Sequence, residues 1–113
     1  MHEMALAESV LQLVEATARR EGAKRVSCVV LEIGALASVE VEALRFGFEV
    51  VRAGSLAAEA ELEIEAVPGE GWCLPCGEPI PLARLGDPCP RCGSGQVQPV
   101  QGMEMRVKEI EIE

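Results

Sequence analysis

Cys73, Cys76, Cys89 and Cys92 form two C-x2-C pairs separated by twelve residues. A C-x2-C pair turns tightly enough to offer two thiolates to one ion, and two such turns facing each other complete a tetrahedral shell of four sulfurs. That shell has no open position for water or substrate, so the pattern predicts structural and not catalytic zinc. Each pair is followed by glycine, Gly77 and Gly93, which lets backbone N–H groups approach the sulfurs. Two disulfides would also use four cysteines, as would redox-active C-x-x-C chemistry. Nothing in the chain suggests secretion, and one shared ion accounts for the spacing better than either. The fifth cysteine, Cys28, lies alone in an apolar run and is expected to be core.

His2 is the only histidine and is followed directly by Glu3. A lone histidine near a chain end is usually an ordinary surface residue. Its chemistry allows more: the Met1 amine, the His2 imidazole and adjacent amide nitrogens can gather around one ion without any folding. A planar set of nitrogens, or of nitrogens and oxygens, suits Ni(II) or Cu(II). Glu61, Glu63 and Glu65 are also a group of carboxylates, but they alternate along the chain and read as a solvated or edge-protecting strand face. With one histidine and a filled zinc shell, no nucleophile–base pair, phosphate loop or open metal triad can be assembled, so the chain is not expected to be an enzyme.

The elements that position these groups follow from periodicity. Residues 4–20 place Met4, Ala7, Val10, Leu11, Val14 and Ala18 at helical spacing, and Gly22 marks the stop. Residues 25–33 are β-branched and apolar on both faces, which predicts a central strand. After a loop over 34–39, residues 40–52 place Val41, Leu44, Phe48 and Val51 on one helical stripe, with Phe48 expected in the core. From Ala60 the chain alternates, with Leu62, Ile64 and Ala66 opposite the three glutamates. Residues 70–102 hold most of the prolines and six of the eleven glycines, with too little apolar bulk to fold unaided. Residues 103–113 resume strand character, and their apolar phase changes near Lys108-Glu109, a mark of a bulge or register break.

The expected fold is α+β: two helices on one face of a three-stranded sheet, with an inserted four-cysteine zinc-ribbon domain. The strands before and after the insert are expected to pair as hairpin neighbours. The domains are then 1–69 with 103–113, and the ribbon at 70–102.

Charge and length narrow the function. The 113-residue chain carries 10 Lys and Arg against 19 Asp and Glu, a net charge of −9, and only 3% of its residues are aromatic. It lacks the basic footprint of a nucleic-acid binder, and Arg84 and Arg91 face three acids within 70–102 itself. No apolar run approaches the roughly 18 to 20 residues of a membrane span, and the start has no signal-like segment. A cytoplasmic, unprocessed chain is expected, with no nucleic-acid or membrane partner.

Several segments together are more specific than any one. Met1-His2-Glu3-Met4 opening a helix, Ile33-Gly34-x-Leu36-x-x-Val39, Leu44-x-Phe46-x-Phe48-Glu49, the four cysteines, and Gly102-x-Glu104 resemble the HypA family of hydrogenase nickel-insertion proteins. The similarity covers essentially the whole chain. It implies a metallochaperone that binds Ni2+ at its N-terminus and passes it to the large subunit of [NiFe] hydrogenase, working with a nickel-binding, HypB-like GTPase. The resemblance assigns His2 and Glu3 to the nickel site and Cys73, Cys76, Cys89 and Cys92 to Zn2+. Some members place an acidic residue near the nickel at the start of the second helix, here Glu40. Service to urease, and pairing of the chain with a second copy as a homodimer, stay open. A reading from another class is a zinc-ribbon adaptor that recognises a protein partner and has no nickel role.

Overall fold

The structure, a computed structural model, describes residues 2–113. Helix α1 (Glu3–Arg20) buries Ala7, Val10, Val14 and Ala18. These follow the i, i+3, i+4 spacing that puts one apolar stripe against a sheet. Met4 belongs to the same sequence stripe but is 42% exposed. After α1, Gly22 takes φ 70, and Ala23 donates to the Ala18 carbonyl at 2.9 Å, ending the helix. Helix α2 (Val41–Val51) buries Leu44, Gly47 and Phe48. A Cβ on Gly47 would lie 3.3 Å from that of Ala7, so the absence of a side chain there lets the two helices approach closely.

Strand β1 (Val26–Gly34) is buried along almost its whole length, including Val29 and Leu31 at 0% exposure. It occupies the middle of a three-stranded sheet in the order β2-β1-β6, with β2 at Glu61–Val67 and β6 at Met105–Ile112. The expected hairpin between the strands flanking the insert is therefore not formed: β1 lies between them. A strand apolar on both faces is stabilised most in the centre, whereas β2 and β6 each carry a glutamate-rich face that solvent must reach. Along β2, Leu62 and Ile64 are half-buried and Glu61, Glu63 and Glu65 are exposed. Two arginines bond carbonyls at the start of β2: Arg45 of α2 donates to Leu62 at 2.8 Å, and Arg52, the C-cap of α2, donates to Ala60 just before the strand at 2.5 Å. Cys28 is 5% exposed, and burial pushes its thiol pKa up, with the charges of Glu63 and Glu111 adding to the effect.

The chain divides into two compact units. One combines the residues up to Leu31 with Val39–Ile64 and Val107–Glu113, and the other combines Glu32–Ser38 with Glu65–Arg106. The second unit contains a second sheet, order β4-β3-β5, built from Glu70–Cys73 (β3), Glu78–Pro81 (β4) and Val97–Gln101 (β5). Both pairings are antiparallel, with Cys73 opposite Glu78 on one side and Val97 on the other.

Within this unit, three glycines meet backbone to backbone. A Cβ on Gly34 would lie 2.0 Å from the Gly102 carbonyl oxygen, and one on Gly102 would lie 2.8 Å from the Gly69 Cα. Hydrogen bonds run through the same junction, from Gly34 N–H to the Glu104 carbonyl and from Leu36 N–H to the Gly102 carbonyl, both 2.8 Å. Gly102 has φ 94, which a β-carbon disfavours.

Candidate metal centres

The four cysteines come from two turns with the same geometry. In each, the glycine after the second cysteine donates its N–H to the carbonyl of the first: Gly77 to Cys73 and Gly93 to Cys89, both at 2.8 Å. Gly77 (φ 66) and Gly93 (φ 77) both adopt the left-handed conformation that closes such a turn. Strand β3 delivers Cys73. The second turn is held at its base by the Cys89 N–H bonded to the Ser94 carbonyl at 2.8 Å.

The sulfurs converge. Cys73 Sγ lies 3.6 Å from Cys92 Sγ, Cys76 Sγ lies 4.0 Å from Cys89 Sγ, and all four lie within 4.8 Å of one another. Tetrahedral zinc with Zn–S bonds of about 2.3 Å separates its sulfurs by about 3.8 Å, so this spacing fits one ion. A disulfide needs about 2.0 Å, and no pair is near that. Cys73 and Cys89 are buried with Ile80 in a small cluster, Cys76 and Val97 pack against it, and Cys92 is exposed. Arg91 and Glu78 form an ion pair between the second turn and β4.

The thiols perturb one another as a crowded group must. The backbone N–H groups of Cys92 and Arg91 bring Cys89 down to about 7, the latter N–H lying 3.4 Å from its sulfur. The neighbouring Cys73 and Cys92 thiols, with burial, push Cys76 up to about 12. At Cys73 the N–H of Cys76 favours the thiolate, but burial and the Cys92 thiol outweigh it and raise the pKa. Four thiolates this close repel one another strongly unless a cation sits among them. Binding a divalent ion here therefore releases protons.

The other candidate residues stand where the two helices begin. His2 is the exposed N-cap of α1, extended at φ −89 and ψ 99, and its carbonyl accepts from Leu6 at 3.0 Å. Glu40 is the N-cap of α2 with nearly the same conformation, φ −79 and ψ 99. The Glu3 carboxylate accepts a hydrogen bond from the Glu40 backbone N–H at 3.2 Å, joining the two helix starts. That N–H, followed by Glu3's own N–H, holds the Glu3 carboxyl below the usual carboxylate range, although burial opposes it. His2, Glu3 and Glu40 are thus close together in space. The Met1 amine, invoked for the same ion, lies outside the described residues. Sequence reasoning did not anticipate the backbone N–H of Glu40 as a partner for Glu3. No local signal links residues 37 apart.

The model of a family described as "Hydrogenase/urease nickel incorporation, metallochaperone, hypA" matches residues 1–112. The chain is 66% identical over 113 residues to the hydrogenase maturation factor HypA of Dechloromonas aromatica (strain RCB), covering 100% of both. It is 59% identical over 110 residues to the protein of that name from Azoarcus sp. (strain BH72), covering 97% of this chain and 96% of the relative. Among solved structures, the solution structure of the Ni metallochaperone HypA from Helicobacter pylori aligns with a TM-score of 0.71 at 30% identity. That alignment covers 99% of this chain and 97% of the other.

Proposed function

Because the chain belongs to the HypA family of hydrogenase and urease nickel-incorporation metallochaperones, we propose that it binds one Ni(II) at its N-terminus and hands it to the large subunit of [NiFe] hydrogenase. In this reading His2 and Glu3 are nickel ligands, with the Met1 amine and nearby amide nitrogens completing a planar set. The observation that carries it is the Glu3 contact with the Glu40 N–H, which fixes one donor while His2 stays exposed. A fixed carboxylate beside a solvent-reachable imidazole combines selectivity with release, and a carrier needs both. The work is binding and transfer, with no bond of a substrate made or broken. A nickel-binding, HypB-like GTPase supplies or receives the ion, and the exchange takes place in the cytoplasm.

Cys73, Cys76, Cys89 and Cys92 hold a structural Zn(II) within the ribbon at 70–102, while 1–69 and 103–113 form the nickel-binding part. Structural zinc in small modules contributes apparent free energy on the order of 10 kcal/mol at neutral pH. That is enough to fold a segment whose own core consists of Cys73, Ile80 and Cys89 with two flanking side chains.

The test is titration of Ni(II) into zinc-loaded protein with a free N-terminus, alongside His2→Ala. The expected result is one nickel per chain, lost in the variant. Because the amine and imidazole coordinate only without their protons, affinity should fall as the pH is lowered. A chain that binds no nickel specifically, or binds it equally after His2→Ala, rejects the N-terminal site and leaves a zinc-ribbon adaptor as the better description.

A further inference from the structure

The β4-β3-β5 sheet has one filled face and one bare face. Alternation along β3 puts the buried Gly71 and Cys73 on one side, the side of the buried Ile80, and puts Glu70 and Trp72 on the other. On that other side Trp72 stands opposite Pro79 of β4 and Gln98 of β5, and Glu70 stands opposite Pro81 and Gln101. The two prolines and two glutamines are exposed, and Trp72 is 39% exposed at their centre.

The chemistry of this face selects a ligand. Tryptophan offers the aromatic surface that attracts a cation most strongly. Two residues along the strand, about 7 Å away, the Glu70 side chain is half-buried, and among the described residues no hydrogen bond or ion pair engages its carboxylate. Glu78 on the next strand is by contrast neutralised by Arg91. A guanidinium satisfies both groups at once, because it stacks flat on an indole and turns its edge, a fork of N–H donors, to a carboxylate. A lysine ammonium has no flat face to stack.

Size and strand chemistry decide what carries the guanidinium. The groove beside Glu70, lined by Pro68, Pro79, Pro81 and Gln101, has a volume of about 260 Å3, below the roughly 300 Å3 at which small-molecule pockets begin. It takes one long side chain and not a whole metabolite, and its prolines cover the apolar stem of that side chain. The sheet edges do not compete for a partner. Pro79 and Pro81 on β4 and Pro99 on β5 remove N–H donors that an added strand would need. A partner therefore meets this sheet on its face, where an exposed tryptophan is a common interface anchor. The net charge of −9 favours a basic one.

We propose that the bare face of the β4-β3-β5 sheet docks a partner protein through one exposed arginine, whose guanidinium stacks on Trp72 and pairs with Glu70. This is independent of any nickel role. The test is an NMR titration of the full, zinc-loaded chain at fixed ionic strength. The probes are a capped Ala-Arg-Ala peptide and its citrulline counterpart, which keeps the shape and removes the charge. The natural sequence is compared with Trp72→Leu, Glu70→Gln, and Glu109→Gln, the last an exposed carboxylate on the other sheet.

The arginine peptide is expected to shift the Trp72 indole N–H and the Gln98 amide saturably, and the citrulline peptide to leave both in place. Trp72→Leu, followed at Gln98, and Glu70→Gln should each weaken binding by about threefold. Glu109→Gln should leave it unchanged. Amide spectra and zinc content confirm that all variants are folded. Equal binding of the citrulline peptide overturns the proposal and assigns the face to a neutral ligand. So does an equal loss in Glu109→Gln, which marks diffuse attraction to an acidic chain, or an arginine peptide that moves neither resonance. A Trp72 resonance that moves with protein concentration alone gives the face to a second copy and also overturns it.

Discussion

The carboxylate of Glu3, the first residue of α1, lies 3.2 Å from the backbone nitrogen of Glu40 and so joins the starts of two helices. This bond is stronger while Glu3 is ionised than when its carboxyl is protonated. The folded carboxyl is held below its ordinary value, so its contribution is fully present above that value and is lost as pH falls through the lowered one. In metal-free protein the Glu40 amide resonance should titrate with an apparent midpoint below the ordinary range for glutamate. Glu3→Gln should abolish that titration. A Glu40 amide that does not respond in this pH range would show the contact to be absent in solution.

The zinc ribbon has its own optical reporter. Trp72, the only tryptophan, stands on β3 beside Cys73. Removing the metal with a strong chelator leaves four crowded thiols around a cluster too small to hold three short strands. Trp72 emission should shift to the red, whereas far-UV circular dichroism should retain most of its helical signal from α1 and α2. The same separation is expected for Cys89→Ser. Unchanged Trp72 emission after verified metal loss would mean that the ribbon folds without its ion.

Two glycines with different neighbours should respond differently to alanine. At Gly34 the new Cβ meets the Gly102 backbone oxygen at 2.0 Å, where no side chain can rotate away. Gly34→Ala should cost about 3 kcal/mol, near the upper end for overpacking, and be read as a loss of unfolding midpoint in denaturant. At Gly47 the nearest atom is the Ala7 Cβ at 3.3 Å, and alanine favours the helix by about 1 kcal/mol. Gly47→Ala should therefore stay within about 1 kcal/mol of the natural chain. Equal losses at both positions would contradict the packing described.

Arg45 and Arg52 occupy the Leu62 and Ala60 carbonyls where β2, an edge strand of its sheet, begins. Replacing either with leucine removes a charged donor from a backbone carbonyl at or just before the start of β2 and should cost about 1 to 2 kcal/mol. The double variant should also scatter light at concentrations where the natural chain stays clear, because β2 then offers an open edge. A double variant as stable and as clear as the natural chain would assign these arginines no protective role.

Local periodicity carried much of this fold. The apolar stripes of α1 and α2 and the two-faced character of β1 were legible, and element bounds differ from the sequence reading by one or two residues at most ends. Burial of Cys28 and Phe48 was legible too, since both lie on strongly patterned segments. Strand order was not, because β2 and β6 look like hairpin partners until β1 competes for the centre. The short strands β3, β4 and β5 are hidden by proline and glycine, and their pairing follows from cysteine turns that a sequence shows only as spacing. The convergence of the four sulfurs was readable for that reason. The contact of Glu3 with Glu40 and the meeting of Gly34, Gly69 and Gly102 were not, because both are backbone contacts between distant residues.

The glycine junction bears on how the protein can change over generations. Most buried positions have a smaller neighbour in the genetic code, so a lineage can drift through a cavity and be refilled later. Glycine has none. Every missense change at Gly34 adds at least the Cβ that would lie 2.0 Å from the Gly102 oxygen, and every change at Gly102 adds one to a backbone at φ 94. Neither position has a stepwise route to another residue. Variation among descendants should accumulate around this crossing and leave the crossing itself fixed.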